Sequence, residues 1–155
     1  MHKIPLVVLR LALGELFFYA GITKVLDPSW SAAGYLMSAK TFPGLYEWFA
    51  SPDMLPFINF VNEWGLTLIG LFLVLGIFVR VSSFAGVALM ILYYLPILDG
   101  WYPNTHSFLV DEHIVYVGAL LTLATFRAGR VFGLEKWCSS LPICSRFPKF
   151  RALLG

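Results

Sequence analysis

The sequence predicts an all-α membrane protein that folds as an antiparallel bundle of four transmembrane helices. Hydrophobic residues make up 59% of its 155 positions and charged residues only 13%, and the mean hydropathy is +0.77. A soluble domain of this length would have too few polar residues to cover its apolar runs. Four of these runs reach or approach the roughly 20 residues that a bilayer crossing requires. The lipid bilayer is therefore the first partner that the sequence predicts.

The four runs also predict how the chain is organised. Together they form one membrane domain over residues 1–137, which is followed by a short basic tail over residues 138–155. The predicted spans cover residues 4–26, 57–79, 81–98 and 109–126.

Basic residues are distributed unevenly between the two sides of the predicted spans. Only Lys24 and Lys40 lie on one side, and the others lie on the opposite side: Lys3, Arg10, Arg80, Arg127, Arg130, Lys136, Arg146, Lys149 and Arg151. By the positive-inside rule both termini are cytoplasmic, in a multi-pass protein of the plasma membrane. The net charge of +2 is too small to predict a nucleic-acid partner.

The outer connection between the first and second spans, residues 27–56, is long and aromatic. It mixes six aromatic rings with Ser, Gly and Pro, a composition typical of short helices in the lipid headgroup layer: Trp30, Tyr35, Phe42, Tyr46, Trp48 and Phe49. Two interpretations remain open for this segment. It either anchors the protein at the interface or forms a lid over a site between the spans.

The first span carries a stripe of polar and small residues on one helix face. Steps of four and three residues align Arg10, Gly14, Phe17, Gly21 and Lys24. The glycines allow a neighbouring helix to approach closely, and the charges then face protein instead of lipid. Glu15 lies about 100° away from Gly14 and lacks an evident partner, so it is either protonated or faces another subunit of a homo-oligomer.

Several ionisable residues are predicted to lie one to two turns below the outer surface, at a rise of about 1.5 Å per residue. Because a bare glutamate is costly in the membrane, Glu63 is expected to pair with Lys24 or to be protonated. Such a pair can simply hold two helices together. A histidine and tyrosines at the same depth favour a site, with His113, Glu63 and Lys24 as catalytic candidates. The predicted binding residues are Tyr116, Tyr93, Tyr94, Asp99 and Asp111.

The stretch "FLVDEHIVYVG" opens the fourth span with three ionisable residues in a row. Asp111 is predicted to cap the helix, because a carboxylate complements the free amides and the dipole at a helix N-terminus. Glu112 is predicted to face the outer water. His113 is predicted to turn into the bundle on the same face as Tyr116.

The two cysteines and three histidines predict no metal site. Cys138 and Cys144 lie in the tail, on the predicted cytoplasmic side, at a spacing that is not C-x-x-C. Free thiols are expected there, and redox exchange and metal binding are the alternatives. No histidine pair at metal-ligand spacing and no haem attachment motif occurs.

Three segments resemble the DoxX/DoxD family of small four-span membrane proteins: "LRLALGELFFYAGITKVLD", "NEWGLTLIGLFLVLGIFVR" and "LVDEHIVYVGALLTLATFRAGRVFGLEKW". The resemblance implies a four-helix membrane bundle related to the DoxD subunit of thiosulfate:quinone oxidoreductase, with quinone as cofactor and a companion redox subunit as partner. The family pattern of Arg, Gly, Gly, Lys, an acidic residue and Arg falls on Arg10, Gly14, Gly21, Lys24, Glu63 and Arg80.

The leading functional hypothesis is a membrane subunit of a quinone-linked oxidoreductase, with electron transfer from thiosulfate to quinone as its reaction. The layer of Lys24, Glu63, His113 and Tyr116 would hold the quinone headgroup, and Lys24 would also attract an oxyanion. The alternative is a non-catalytic membrane partner that anchors or assembles a redox enzyme, with a fully paired polar layer and no cavity. A transporter is less supported, because the chain has neither repeats nor a broken helix.

Overall fold

The computed structural model describes residues 3–135, and all regular secondary structure in that range is helical. The predicted tail, with Cys138 and Cys144, lies outside the described residues. The helices are α1 (Lys3–Val25), α2 (Ala33–Met37), α3 (Pro43–Phe49), α4 (Leu55–Leu75), α5 (Val79–Ile97) and α6 (Glu112–Thr125), followed by a 3₁₀ turn at Ala128–Arg130.

Three of these helices, α1, α4 and α5, are long and apolar enough to cross a membrane. The chain is therefore a multi-pass membrane protein. Their positions agree with the first three predicted spans, but the boundary between the second and third was placed wrongly. Gly76 ends α4 in the left-handed conformation, with φ of +66°. The turn therefore occupies residues 76–78, and Arg80 lies within α5 rather than in the turn.

Helix α6 is shorter than the predicted fourth span. Its 14 residues extend for about 21 Å, less than the roughly 30 Å hydrocarbon thickness. Leu109 has a positive φ of 60° and precedes the helix, which begins at Glu112 directly after its predicted cap Asp111. A fourth membrane crossing stays a prediction.

Helices α1 and α4 approach so closely that only glycine fits at their contact. A Cβ on Gly14 would lie 2.8 Å from the Cγ2 of Val74, and a Cβ on Gly70 would overlap the backbone of α1 at Phe18. Gly14 contacts the C-terminal part of α4, whereas Gly21 lies against Thr67, nearer its middle. The two helices therefore run antiparallel, and the predicted stripe on α1 faces protein.

The four longer helices enclose one apolar core. Helix α4 also packs on α5 and α5 on α6, and α6 contacts α1. The side chains that fill this core come from all four helices: Leu13, Phe17, Leu66, Ile69, Leu73, Met90, Leu120 and Leu123.

Arg10 closes one end of these helices. Its buried guanidinium donates hydrogen bonds to the carbonyl oxygens of Ala128 at 2.9 Å and Val131 at 3.0 Å, and more weakly to that of Phe132 at 3.3 Å. These carbonyls follow α6, so Arg10 holds the chain after α6 against α1. We call this the Arg10 end of the molecule, and we call the opposite end, where Lys24 lies, the Lys24 end.

Candidate functional site

The segment between α1 and α4 folds over the Lys24 end. We call residues 27–54 the lid; it contains α2 and α3. Tyr46 donates a hydrogen bond to the carbonyl oxygen of Leu92 at 3.0 Å, and Asn59 accepts one from the amide of Ala32 at 3.0 Å. These bonds attach the lid to α5 and α4. Of the two interpretations of this segment, the geometry favours the lid, whereas its position in the headgroup layer stays a prediction.

Tyr35 supplies a further attachment of the lid. Its hydroxyl donates to the carbonyl oxygen of Tyr93 on α5, and its ring meets the Tyr93 ring edge to face at 5.7 Å between centroids. Burial raises the pKa of the Tyr35 phenol, with smaller contributions from neighbouring tyrosines and Asp111. Tyr35 therefore remains a neutral hydrogen-bond donor at physiological pH.

A cavity of about 280 Å³ lies beneath the lid. Its walls are mainly aromatic and aliphatic, and Lys24 and Asn62 supply most of its polarity. The residues that line it are Lys24, Trp30, Ser31, Ala32, Tyr35, Leu36, Tyr46, Phe49, Ile58, Val61, Asn62, Leu89, Leu92 and Tyr93. An apolar cavity with a few convergent polar groups is the usual form of a small-molecule site.

Lys24 is the centre of the polar cluster in this cavity. Its Nζ lies 2.8 Å from the hydroxyl oxygen of Tyr93 and 3.2 Å from Oδ1 of Asn62. The Tyr93 hydroxyl in turn donates to Asn62 Oδ1. Nζ also lies 4.7 Å from the centre of the Trp30 ring, within cation–π range. Because an ammonium has three N–H groups, one donor remains for the Trp30 face or for a ligand.

Of the two expectations for Glu63, protonation stays a prediction, and the ion pair is absent, since among residues 3–135 no salt bridge joins Lys24 and Glu63. Asn62 is the partner on α4 instead. Sequence reasoning missed Asn62, although the i, i+3 pair of Asn59 and Asn62 near the start of an apolar helix was a signal for it.

His113 and Asp111 form a second polar pair. His113 Nδ1 lies 2.6 Å from Oδ2 of Asp111, whose Oδ1 accepts the backbone N–H of Ile114 at 3.2 Å. The predicted capping role of Asp111 is therefore confirmed. Glu112 is exposed. The His113 ring stacks on that of Tyr93, at 6.0 Å between centroids and 24° between planes, so it faces α5.

This pair opens on a second depression of about 640 Å³. Its lining residues are Tyr35, Tyr93, Ile97, Pro103, Asn104, Asp111, Glu112 and His113. Tyr35 and Tyr93 belong to both hollows. Tyr93 is therefore the contact between them, because its hydroxyl binds Lys24 and its ring packs on His113. Lys24 and His113 share no direct hydrogen bond.

The remaining predicted site residues lie outside both hollows. Asp99 is exposed and pairs with the exposed Lys40 at 3.0 Å. The Tyr94 hydroxyl donates to the carbonyl oxygen of Leu109 at 2.6 Å, and the Tyr116 ring packs edge to face on Phe17. Glu63 lines neither hollow.

Comparison with known protein families gives a match. The DoxX family model matches residues 6–99. No match was found among curated proteins or among solved structures. The matched range includes Lys24, Asn62 and Tyr93 and ends before Asp111 and His113. Because it covers more than half of the sequence, the chain belongs to the DoxX family.

Proposed function

We propose that this protein is the membrane subunit of a quinone-linked oxidoreductase, and that the cavity beneath the lid holds the quinone headgroup. The observation that carries the proposal is the cluster of Lys24, Asn62 and Tyr93 in an otherwise apolar, aromatic cavity. Membership of a family associated with membrane redox partners supports it.

The donors in the cavity match the chemistry of a quinone carbonyl. One N–H of Lys24 is not used by Asn62 or Tyr93, and the Asn62 amide group donates no hydrogen bond to the described part of the chain. Both can therefore donate to one carbonyl oxygen. A bound quinone would accept two electrons and two protons, and a fixed ammonium beside its oxygen stabilises the negative charge that develops there. The aromatic walls suit a planar ring.

The cavity adjoins an apolar groove between α4 and α5. The groove has a volume of about 600 Å³ and shares Val61, Leu89 and Leu92 with the cavity. Small residues on its walls, including Gly65 and Ala85, leave room for a chain between the two helices. This arrangement supports lateral entry of a lipid-soluble ligand, whose headgroup reaches Lys24 while its tail stays in the groove.

His113 is the proposed proton-exchanging group. The contact with Asp111 directs the Nδ1 proton toward the carboxylate, which leaves Nε2 as the nitrogen able to take or give a proton. The tautomer is inferred from this contact. Tyr93 lies between His113 and the cavity, so it is the expected link.

The proposal also covers the arrangement in the membrane and the electron donor. We propose α6 as a fourth crossing, both termini in the cytoplasm, and a companion subunit that delivers electrons. Thiosulfate is the proposed donor, because Lys24 can attract an oxyanion. The nine basic residues on the terminal side support this orientation.

A second function, a non-catalytic partner that anchors a redox enzyme, remains the competing proposal. It expects a fully paired polar layer without a cavity. The open cavity and the unused donors of Lys24 and Asn62 favour the first proposal.

Binding of a short-chain quinone to the purified protein in lipid nanodiscs tests the proposal. We expect Lys24→Met, which removes the charge and keeps most of the side-chain volume, to weaken binding at least tenfold. Lys40→Met is the matched control, because Lys40 is an exposed lysine of the lid.

Reduction of the quinone with thiosulfate as donor is then measured in native membranes that contain each variant, so that the proposed companion subunit is present. We expect His113→Gln to slow turnover while binding is retained, since it removes the imidazole that is proposed to exchange protons and keeps a polar side chain. Equal binding by the Lys24→Met variant and the wild type would refute the proposed site. Binding without any turnover would favour the anchoring function.

A further inference from the structure

Glu15 carries a carboxyl group into the middle of the bilayer on the outside of the molecule. It lies roughly 18 Å from the Lys3 end of α1 and about 15 Å from the Val25 end. It is two residues from the buried Leu13 and Phe17, which places it roughly 160° around the helix from both. Its side chain is exposed.

No group in the described part of the chain satisfies this carboxyl. Glu15 makes no ion pair and no side-chain hydrogen bond within residues 3–135. Arg10 and Lys24, which are also ionisable and belong to α1, face the interior. An ionisable group in hydrocarbon is expensive, even when it is protonated, unless it finds a hydrogen-bond partner.

The residues around Glu15 form a stripe with the spacing of a two-stranded coiled coil. Steps of four, three, four, three and four residues separate the members Ile4, Val8, Leu11, Glu15, Phe18 and Ile22. These are alternating a and d positions of a heptad repeat, and a single polar residue at such a position sets the register and the number of strands. The exposed fractions of Ile4, Val8 and Leu11 are 72%, 60% and 41%, whereas Phe18 and Ile22 are half-buried at the edge of the contact with α4.

We infer that this face of α1 binds the same face of a second copy of the chain, with the two Glu15 carboxyl groups hydrogen-bonded to each other. All copies insert into the membrane in the same orientation. A two-fold axis along the membrane normal therefore makes the two α1 helices parallel and places both Glu15 residues at the same depth. Two protonated carboxyl groups can each donate and accept one hydrogen bond.

The apolar side chains of the stripe do not by themselves drive two copies together, because lipid solvates them equally well. Glu15 supplies the reason for association, since a second copy necessarily provides a polar group at the matching depth. The inference does not depend on the proposed redox function.

The oligomeric state in lipid vesicles tests the inference. Copies labelled with donor and acceptor fluorophores are reconstituted at decreasing ratios of protein to lipid, and energy transfer reports the dimer. We expect Glu15→Gln, which keeps a donor and an acceptor, to dimerise like the wild type. Glu15→Leu should weaken the dimer by about tenfold. Wild-type protein without concentration-dependent transfer, or Glu15→Leu as dimeric as the wild type, would overturn the inference.

Cysteine cross-linking identifies the face. In a background with Cys138 and Cys144 changed to Ser, Leu11→Cys is expected to form a disulfide between copies. Leu75→Cys on α4 is the matched control, because Leu75 is 40% exposed and Leu11 is 41% exposed. Val74, the residue before Leu75, lies against Gly14, so Leu75 and Leu11 lie within about one helical turn of each other in depth. Cross-linking at Leu75 and not at Leu11 would place the interface elsewhere and refute the inference.

Discussion

A double-mutant cycle on Lys24 tests which residue is its true partner. The structure places the Tyr93 hydroxyl 2.8 Å from Lys24 Nζ and shows no salt bridge from Lys24 to Glu63. Lys24→Met and Tyr93→Phe each remove this hydrogen bond with little change of volume. Lys24→Met and Glu63→Gln form the comparison cycle.

The expected coupling energy follows from the geometry. A hydrogen bond to a charged group contributes about 1.5–3 kcal/mol. Lys24 also binds Asn62 and lies against Trp30, so part of the loss is compensated in the single variants. Double-mutant cycles in a membrane protein average about 0.6 kcal/mol and reach about 1.7 kcal/mol. We therefore expect about 1 kcal/mol for the Tyr93 cycle and less than about 0.5 kcal/mol for the Glu63 cycle.

The assay is reversible unfolding in mixed micelles of a mild detergent and dodecyl sulfate, with helicity as the signal. All single and double variants are measured at one pH and one ionic strength. A Glu63 cycle with the larger coupling would show that the ion pair suggested by the sequence is the real contact, and it would refute the geometry of the cluster.

Three further perturbations have expected outcomes in the same unfolding assay. Gly70→Ala should destabilise the protein by about 1–3 kcal/mol, because its Cβ would overlap the backbone of α1. Gly118→Ala should not destabilise it, because nothing lies within 4 Å of its Cβ. Equal losses of stability in the two variants would contradict the close packing of α1 and α4. Asp111→Ala should cost about 1 kcal/mol through loss of the helix cap and Asp111→Asn much less, so equal costs would argue against capping. Burial raises the pKa of Glu135 above the usual 4.5, so its contribution to stability is present below that value and is lost as pH rises through the raised pKa. Glu135→Gln should remove this pH-dependent loss of stability, whereas Glu47→Gln, at an exposed position, should leave it in place. A pH profile of stability that is unchanged in Glu135→Gln would refute the assignment to Glu135.

Part of the candidate site could be predicted from the sequence. The spacing of Lys24 from Gly14 and Gly21 identified the inward face of α1, because residues three and four apart share a helix face. Asp111 was recognisable as a cap for a similarly local reason, since its carboxylate binds an amide only three residues away. The aromatic composition of the lid indicated its contact with a hydrophobic environment, but not the cavity beneath it.

Local patterns of hydropathy were enough to predict a membrane protein and the positions of three membrane-spanning helices, because hydropathy and span length are sums over neighbouring residues. That Asn62, and not Glu63, binds Lys24 follows only from how the helices pack. Asn62 and Glu63 are consecutive, so their side chains point about 100° apart around α4. Which of them faces Lys24 depends on the rotation of α4 about its axis, and that rotation depends on how Gly70 fits against α1. The cavity likewise requires the lid, α1, α4 and α5 together, and no local pattern contains that arrangement.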